Sequence, residues 1–364
     1  MLAPVCGLIS YNPNITSQIH SVMCRWFSYI SPAEPALLED VLVTPENAIS
    51  KQCAQHYIPG LISPSQSTDP EEYLRTRNSL LNMDGMGIAW YTATSSAYID
   101  DQEGTRPALY KTQSPPTNDF NFRSLCANTE SACIFAHIRA TSGSPVTPIN
   151  NHPFVFGRHS FMHNGTVTDF ARIRGDMTNL MAYDAYINIR GTTDTEYVAA
   201  LYMTFLTAYG SEASWQEEYP LQVMKAALVR TVTCIMELQR KSLGRKATPN
   251  GLNLCATDGR KLVACRFRNH VSEQPASLYW SDSAGTTLNR KVPGDVGGDR
   301  GNLYGPSRIG RHVIVSSEPT TKVDREWTLI AKNHMVMVDH KGVAHHEPLV
   351  YDAGLNAADV DVVV

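Results

Sequence analysis

The stretch FAHIRATSG at residues 135–143 carries the pattern from which fold and site are predicted, with NNHPF at 150–154 and FMHNG at 161–165. Together these neighbouring segments offer an arginine, amide side chains, histidines and glycines. Such groups suit a site that holds a small anionic substrate and stabilises an oxyanion. None of them is an obvious nucleophile, so the nucleophile must come from another part of the chain.

Short apolar runs bounded by turn residues recur along the chain and predict strands. The first of them lie at residues 23–30, 86–91, 132–137 and 160–163. The last run continues into Asn164-Gly165, a pair that predicts a tight turn. Later runs predict a hairpin at 251–267 and closing strands at 313–317, 327–330 and 335–338. A glycine-rich, charged segment at 292–310 predicts a long loop.

Helical spacing of apolar residues is found in two segments, 32–43 and 219–240. A third helix is predicted to begin at Thr193-Asp194-Thr195-Glu196, because a Thr or Asp followed by Glu at this spacing precedes an apolar run. Many short strands with few helices between them predict an α+β fold in which stacked sheets are flanked by helices.

Composition excludes several classes of function. The chain has 364 residues, a net charge of −4 and no basic block, so nothing indicates nucleic-acid binding. No apolar run reaches the roughly 18 residues of a membrane span, and residues 1–22 lack the pattern of a secretory signal. The eight cysteines form no C-x-x-C pair, which argues against a disulfide framework and a zinc site. We therefore predict a cytoplasmic protein with reduced thiols and without a metal or cofactor.

Cys24 is the candidate nucleophile because it directly follows Met23. If translation starts at Met23, or if a leader is cleaved after it, Cys24 carries a free α-amino group. Such a group has a pKa of about 7.7–8.0, so it can take the thiol proton at cell pH. The alternative is that Cys24 is an ordinary buried cysteine in a strand.

Each further candidate residue has a structural alternative. Arg139 closes an apolar strand and could clamp a carboxylate, or form an internal salt bridge. Asn164 and Gly165 could bind an oxyanion, or only form a turn. Asp194 could hold an ammonium group, or only cap a helix. Three histidines could bind a metal, but their spacing favours hydrogen-bonded structural roles: His137, His152 and His163.

In combination, the motifs resemble those of the class II glutamine amidotransferases, which are N-terminal nucleophile hydrolases. They are MCR at 23–25, MGIAWY at 86–91, HIRAT at 137–141, NHPF at 151–154, HNG at 163–165 and TDTE at 193–196. The resemblance covers about residues 24–240 and extends more loosely to SSEP at 316–319 and Trp327. Arg25 and Thr44-Pro45 are most similar to the stand-alone fungal amidotransferase subunit of a glutathione-degradation complex. The family implies a four-layer αββα sandwich.

The resemblance also implies a role for each matching residue. Cys24 would be the nucleophile, with its own amine as the base. Arg139 would clamp the α-carboxylate of a γ-glutamyl group, and Asp194 would bind its α-ammonium. Asn164 and Gly165 would form the oxyanion hole. His163 is added to the predicted substrate-binding residues, whereas His152 would order its loop.

Two departures from the family pattern bear on these roles. Family members have one more residue between the arginine and the following glycine than Arg139 and Gly143 have here, which leaves the role of Thr141 open. Family members also begin Cys-Gly-Ile, and Cys6-Gly7-Leu is a competing start of that kind. Cys24 is preferred because the residues after it continue the pattern.

These observations predict a leader or gene-model extension at residues 1–23, one amidotransferase-like domain at 24–350 and a tail at 351–364. The predicted activity is hydrolysis of a γ-glutamyl amide bond, as in glutamine or glutathione, through a thioester on Cys24. A metallopeptidase-like subunit is the partner that the resemblance implies. Two alternatives remain: a catalytically silent scaffold that binds a partner protein, and an amidase of the same type acting on another acyl group.

Overall fold

A computed structural model describes residues 24–53, 84–99, 103–141, 144–284, 288–290 and 312–357. The predicted leader, the alternative start at Cys6 and the glycine-rich loop at 292–310 therefore lie outside the described residues. So do Ser142 and Gly143 of the central motif.

The described residues contain fifteen strands and six α-helices, which occur in groups along the chain. The strands are β1 (Arg25–Ile30), β2 (Ala36–Leu37), β3 (Met86–Thr92), β4 (Arg106–Thr112), β5 (Glu130–Ser131), β6 (Cys133–Ile138), β7 (Phe154–Phe156), β8 (His159–Thr166), β9 (Gly251–Thr257), β10 (Leu262–Arg266), β11 (Tyr279–Ser281), β12 (Val313–Ser316), β13 (Thr328–Leu329), β14 (His334–Val338) and β15 (Ala344–Pro348). The α-helices are α1 (Leu38–Leu42), α2 (Phe120–Asn128), α3 (Phe170–Asn179), α4 (Tyr183–Ile187), α5 (Asp194–Leu206) and α6 (Leu221–Leu243).

The strands form two large sheets and one short pair. The first sheet has seven strands in the order β13-β11-β12-β1-β6-β3-β4, and the second has six in the order β15-β14-β10-β9-β8-β7. The pairing is antiparallel in both sheets. β1, which directly follows Cys24, lies in the middle of the first sheet between β6 and β12.

The two sheets pack face to face and each carries helices on its outer face. Alternate residues of β1 point to different cores: Trp26 lies between the sheets, whereas Phe27 packs with α1 and α2. This is why β1 is buried along its whole length, since both of its faces are covered. The outer face of the second sheet packs against α3, α5 and α6. The predicted αββα sandwich is confirmed.

Most predicted elements are present, but one local prediction is wrong. Asn164 and Gly165 do not form a tight turn, because β8 continues through both and pairs them with Asn253 and Leu252 of β9. The predicted helix at 32–43 shortens to α1, and sequence periodicity did not reveal α2 or α3. No helix in the described part of the chain is long and apolar enough to cross a membrane.

The core between the sheets is expected to supply much of the stability. Phe135 on β6 is fully buried there, whereas Phe120 on α2 is 83% exposed. Phe135→Ala should lower the free energy of unfolding by about 3–5 kcal/mol, since it removes buried apolar surface and leaves a cavity. Phe120→Ala, the matched control, should change it by less than about 0.5 kcal/mol. Urea denaturation measures both, and similar values for the two would contradict the assigned core.

Candidate active site

The pairing of β1 with β6 brings Cys24 next to Arg139. Arg25 faces Ile138 in the antiparallel register, so Cys24 lies where β1 begins and Arg139 where β6 ends. The Cys24 thiol donates a hydrogen bond to the Ala140 carbonyl oxygen at 3.3 Å. Its sulfur also accepts one from the Ala140 backbone N–H at 3.3 Å. Two predicted site residues that are far apart in sequence are therefore neighbours.

Arg139 is buried, and its guanidinium is held by oxygens of the following loop. Nη1 donates to the Pro145 carbonyl at 2.9 Å, and Nη2 donates to the Ser144 hydroxyl and, at 3.3 Å, to Thr141 Oγ1. No carboxylate among the described residues forms an ion pair with it. The arrangement supplies a positive charge that a bound carboxylate could neutralise. Thr141, whose role the sequence left open, accepts a hydrogen bond from Arg139 in this arrangement.

The electrostatic surroundings of Cys24 connect it to the other predicted residues. Burial raises the pKa of the Cys24 thiol to about 11, opposed by the Ala140 hydrogen bond and by the charge of Arg139. The carboxylate of Asp194 raises the same pKa further. Cys24 is therefore a protonated thiol at neutral pH and needs a base to become a nucleophile. Arg139 and Asp194 both lie close enough to act on it.

Asn164 and Gly165 belong to the second sheet, near the end of β8. Met162 packs between the sheets, so Asn164, two residues later on the strand, faces the first sheet. Its Oδ1 is buried and has no hydrogen-bond partner among the described residues. Gly165 has a φ of 143°, and a Cβ there would lie 1.9 Å from the Gly251 carbonyl oxygen. Only glycine fits this position.

Asp194 is the first residue of α5, and its side chain ties the helix to the segment after β8. Its Oδ2 accepts from the Val167 N–H and its Oδ1 from the Thr195 N–H, both at 2.8 Å. Each carboxylate oxygen can accept a further hydrogen bond, so an ammonium group could still bind. The predicted helix start is present too, since Thr193 Oγ1 accepts from the Glu196 N–H at 3.3 Å.

The three histidines are buried, and two of them make protein hydrogen bonds. His137 Nε2 lies 3.1 Å from the His163 carbonyl oxygen, which joins the two sheets, and the His152 ring centroid lies 3.9 Å from that of His137. Both ring nitrogens of His163 are used, by Thr195 Oγ1 and the Gly251 carbonyl. Burial lowers the pKa of His137 to about 3 and that of His152 well below its usual value.

Neither a metal-binding cluster nor a disulfide is present among the described residues. No group of three or more His, Cys, Asp or Glu residues in the described ranges is arranged to hold a metal ion. Besides Cys24, the described cysteines are free and buried: Cys53, Cys126, Cys133, Cys234, Cys255 and Cys265.

Two supporting residues were not found from the sequence. Asp84, just before β3, accepts from the Thr141 N–H at 2.7 Å through Oδ2 and so holds the segment that follows Arg139. Ser317, after β12, accepts from the Trp26 N–H at 3.0 Å through Oγ and holds the start of β1. Asp84 has no sequence signal, whereas Ser317 lies inside the SSEP motif at 316–319.

Comparison with known proteins agrees with the motif resemblance, although no family model matches the chain. The chain is 28% identical over 331 residues to "Probable glutamine amidotransferase DUG3" of Saccharomyces cerevisiae, covering 89% of this chain and 84% of that protein. The resemblance to glutamine amidotransferases that the motifs predicted is thus confirmed by similarity along most of the chain.

Two solved structures share the fold. A glutamine aminotransferase class-II domain protein from Silicibacter pomeroyi has a TM-score of 0.53 at 20% identity, covering 90% of this chain and all of that one. Glutamine phosphoribosylpyrophosphate amidotransferase from B. subtilis has a TM-score of 0.51 at 11% identity, covering 90% of this chain and 50% of that one.

The burial of His137, which forms a hydrogen bond between the two sheets, predicts that the stability of the protein depends on pH. A histidine in an unfolded chain has a pKa of about 6.5. Between pH 6.5 and about pH 3, His137 is therefore protonated in the unfolded state and neutral in the folded state, so the unfolded state binds more protons. This contribution to stability is present above pH 6.5 and is lost as the pH falls. His137→Gln keeps an N–H donor near the His163 carbonyl but does not titrate.

We expect the free energy of unfolding to fall more in the wild type than in His137→Gln between pH 7 and pH 5, by about 2 kcal/mol. Urea denaturation at the two pH values measures this difference. Equal falls in the two proteins would mean that His137 is not a buried neutral residue.

Proposed function

We propose that this protein hydrolyses the amide bond of a γ-glutamyl compound, with Cys24 as an N-terminal nucleophile. The observation that carries the proposal is the convergence of a thiol, a buried guanidinium without a carboxylate partner among the described residues, and a carboxylate: Cys24, Arg139 and Asp194. A cation and an anion beside one nucleophile match the head group of an amino acid, which carries a carboxylate and an ammonium.

Substrate binding would use the two charges. Arg139 would bind the α-carboxylate, with its planar fork already oriented by Ser144 and Pro145. Asp194 would accept from the α-ammonium through lone pairs that its two backbone donors leave unused. With the head group held between these residues, the γ-carbonyl would be presented to Cys24. Substrates without either head-group charge should bind poorly.

In the first half of the reaction, the neutral α-amine of Cys24 takes the thiol proton, and the sulfur forms a bond to the γ-carbonyl carbon. The carbonyl electron pair moves to oxygen, where the Asn164 amide and the Gly165 N–H would stabilise it. The carbon–nitrogen bond then breaks, and the leaving amine takes the proton from the Cys24 ammonium. The products are a free amine and a γ-glutamyl thioester.

In the second half, the same amine takes a proton from water, and the hydroxide attacks the thioester carbon. The carbon–sulfur bond breaks, glutamate leaves, and the proton returns to the Cys24 sulfur. The α-amine is the proposed base, and the low pKa of His137, about 3, supports this assignment because that imidazole is a poor base for a thiol whose pKa burial raises to about 11.

A free α-amine on Cys24 is therefore a requirement of the proposed reaction. A chain that retains residues 1–23 carries an amide nitrogen at Cys24, which is not a base. The raised thiol pKa then favours the second candidate function, a silent scaffold that still binds a γ-glutamyl ligand through Arg139 and Asp194. The mass of the protein purified from its own cells decides which form exists.

The leaving group is proposed only as an amine: ammonia from glutamine, or the amino group of a peptide as in glutathione. We also propose that the protein works in the reducing cytoplasm, where the Cys24 thiol stays free. The metallopeptidase-like partner remains a proposal that rests on the sequence resemblance. Copurification from the native cells would test for it.

Removing the nucleophile should abolish turnover. In protein whose mass places Cys24 first, Cys24→Ala should lower kcat for a γ-glutamyl amide by at least about a thousandfold. Cys126→Ala is the matched control, because Cys126 is buried in α2 beside the outer core, and it should retain activity. Added hydroxylamine should trap γ-glutamyl hydroxamate with wild type and Cys126→Ala, and not with Cys24→Ala. Turnover by Cys24→Ala would refute the nucleophile.

Replacing Arg139, the residue proposed to bind the α-carboxylate, should weaken substrate binding. Arg139→Ala should raise KM for a γ-glutamyl substrate at least about thirtyfold, and Arg139→Lys should raise it less, because lysine keeps the charge without the fork. Arg158→Lys is the control, since Arg158 lies six residues before Asn164 along the chain, about 20 Å away. An unchanged KM in Arg139→Ala would remove the clamp assignment.

A further inference from the structure

A line of hydrogen bonds links the end of β8 to the start of α5. His163 Nδ1 lies 3.0 Å from Thr195 Oγ1. The Thr195 N–H donates to Asp194 Oδ1 at 2.8 Å, and Thr195 Oγ1 lies 3.4 Å from the same oxygen. Thr195 is buried and lies between His163, which precedes the proposed oxyanion residues, and Asp194, which is proposed to bind an ammonium group.

The partners of His163 determine where the hydroxyl proton of Thr195 points. Nε2 of His163 lies 2.9 Å from the Gly251 carbonyl, which can only accept, so Nε2 carries the proton. Burial lowers the pKa of His163, which keeps the ring neutral and leaves Nδ1 as an acceptor. The Thr195 hydroxyl therefore donates chiefly to His163 Nδ1 at 3.0 Å, and Asp194 Oδ1, at 3.4 Å, is a second and longer acceptor of the same proton.

The same ring also lies against the oxyanion residues. A Cβ placed on Gly165 would come within 1.9 Å of the Gly251 carbonyl oxygen and 2.9 Å of His163 Nε2. The imidazole thus supports the β8 end on one side and orients Thr195 on the other. His163 keeps its Gly251 partner when the Thr195 hydroxyl is removed, so we expect the Asp194 side to respond more than Gly165.

We propose that Thr195 is a positioning residue that sets the preference for substrates with an α-ammonium group. Its hydroxyl, which His163 holds in place, and its own N–H both reach Asp194 Oδ1, so together they fix the orientation of the carboxylate and leave lone pairs for an ammonium group. This inference rests on the proposed function and deepens it, because it assigns the selection of the ammonium to the hydroxyl of one residue.

The test uses two substrates that differ only in the ammonium group: γ-glutamyl p-nitroanilide and glutaryl p-nitroanilide. Thr195→Val removes the hydroxyl at nearly constant volume. It should raise KM for the γ-glutamyl substrate about fivefold to tenfold and leave KM for the glutaryl substrate within about twofold. Values of kcat should change little, because the oxyanion residues keep their contacts.

Two variants separate positioning from general loss of structure. Thr195→Ser retains the hydroxyl and should restore the lower KM. Thr204→Val makes the same chemical change further along α5, where the buried Thr204 hydroxyl donates to the Ala200 carbonyl at 2.9 Å and accepts from the Ala182 N–H at 3.0 Å. It should lower stability without changing the preference between the two substrates.

Equal rises in KM for both substrates, a fall in kcat alone, or failure of Thr195→Ser to restore KM would overturn the inference. If the wild type hydrolyses neither compound, the proposed hydrolysis fails, and calorimetry with glutamate and glutarate then tests the inference by itself. Wild type should prefer glutamate, and Thr195→Val should lose that preference. A wild type without the preference would overturn the inference as well.

Discussion

The hydrogen bond from His137 Nε2 to the His163 carbonyl is a directional contact between two apolar sheet faces, and the geometry of the site depends on it. The first sheet carries Cys24 and Arg139, and the second carries Asn164. Stacked sheets lie about 10 Å apart, and apolar packing does not by itself fix how they slide. Hydrogen bonds that cross the interface fix the relative position of the two sheets. The bond from Trp26 Nε1 to the Asn253 carbonyl at 3.2 Å is another such bond. Such bonds fix the position of the sheet that carries the proposed oxyanion groups relative to the sheet that Cys24 precedes.

The burial around these hydrogen bonds also limits the chemistry of the site. It lowers the pKa of His137 to about 3 and raises that of Cys24 to about 11, so the two groups move apart on the pH scale. A neutral His137 suits its place, because an imidazolium there would repel the nearby Arg139. The site therefore has a strong positive charge for an anion and no strong histidine base. An α-amine on the nucleophile itself satisfies both conditions, since it brings a base of ordinary pKa without another buried side chain.

The positions of many strands and the four layers could be predicted, the strands because their apolar runs are visible in the sequence and the layers because the motifs resemble a known family. The pairing of Asn164 with Asn253 could not, since a local Asn-Gly pair signals a turn while its real partner lies on a strand much later in the chain. Thr195 lies inside a motif that predicts a helix start, and that start is present. Its contact with His163 joins two elements, so no local pattern reveals it. Roles assigned to single residues remain predictions for the same reason.

The proposed site residues lie at the ends of elements, where backbone and side-chain groups are not all used by the ladders or by the helix. Cys24 precedes β1, Arg139 follows β6 and Asp194 begins α5. In the proposed function, Arg139 and Asp194 would bind the head group from positions that the topology sets, whereas the nucleophile would also depend on the state of its own nitrogen. The proposal therefore separates binding from turnover: a chain with a blocked amine would still bind an amino-acid head group. In the proposed reaction, catalysis requires a free α-amine on Cys24 and no rearrangement of the charged side chains around it.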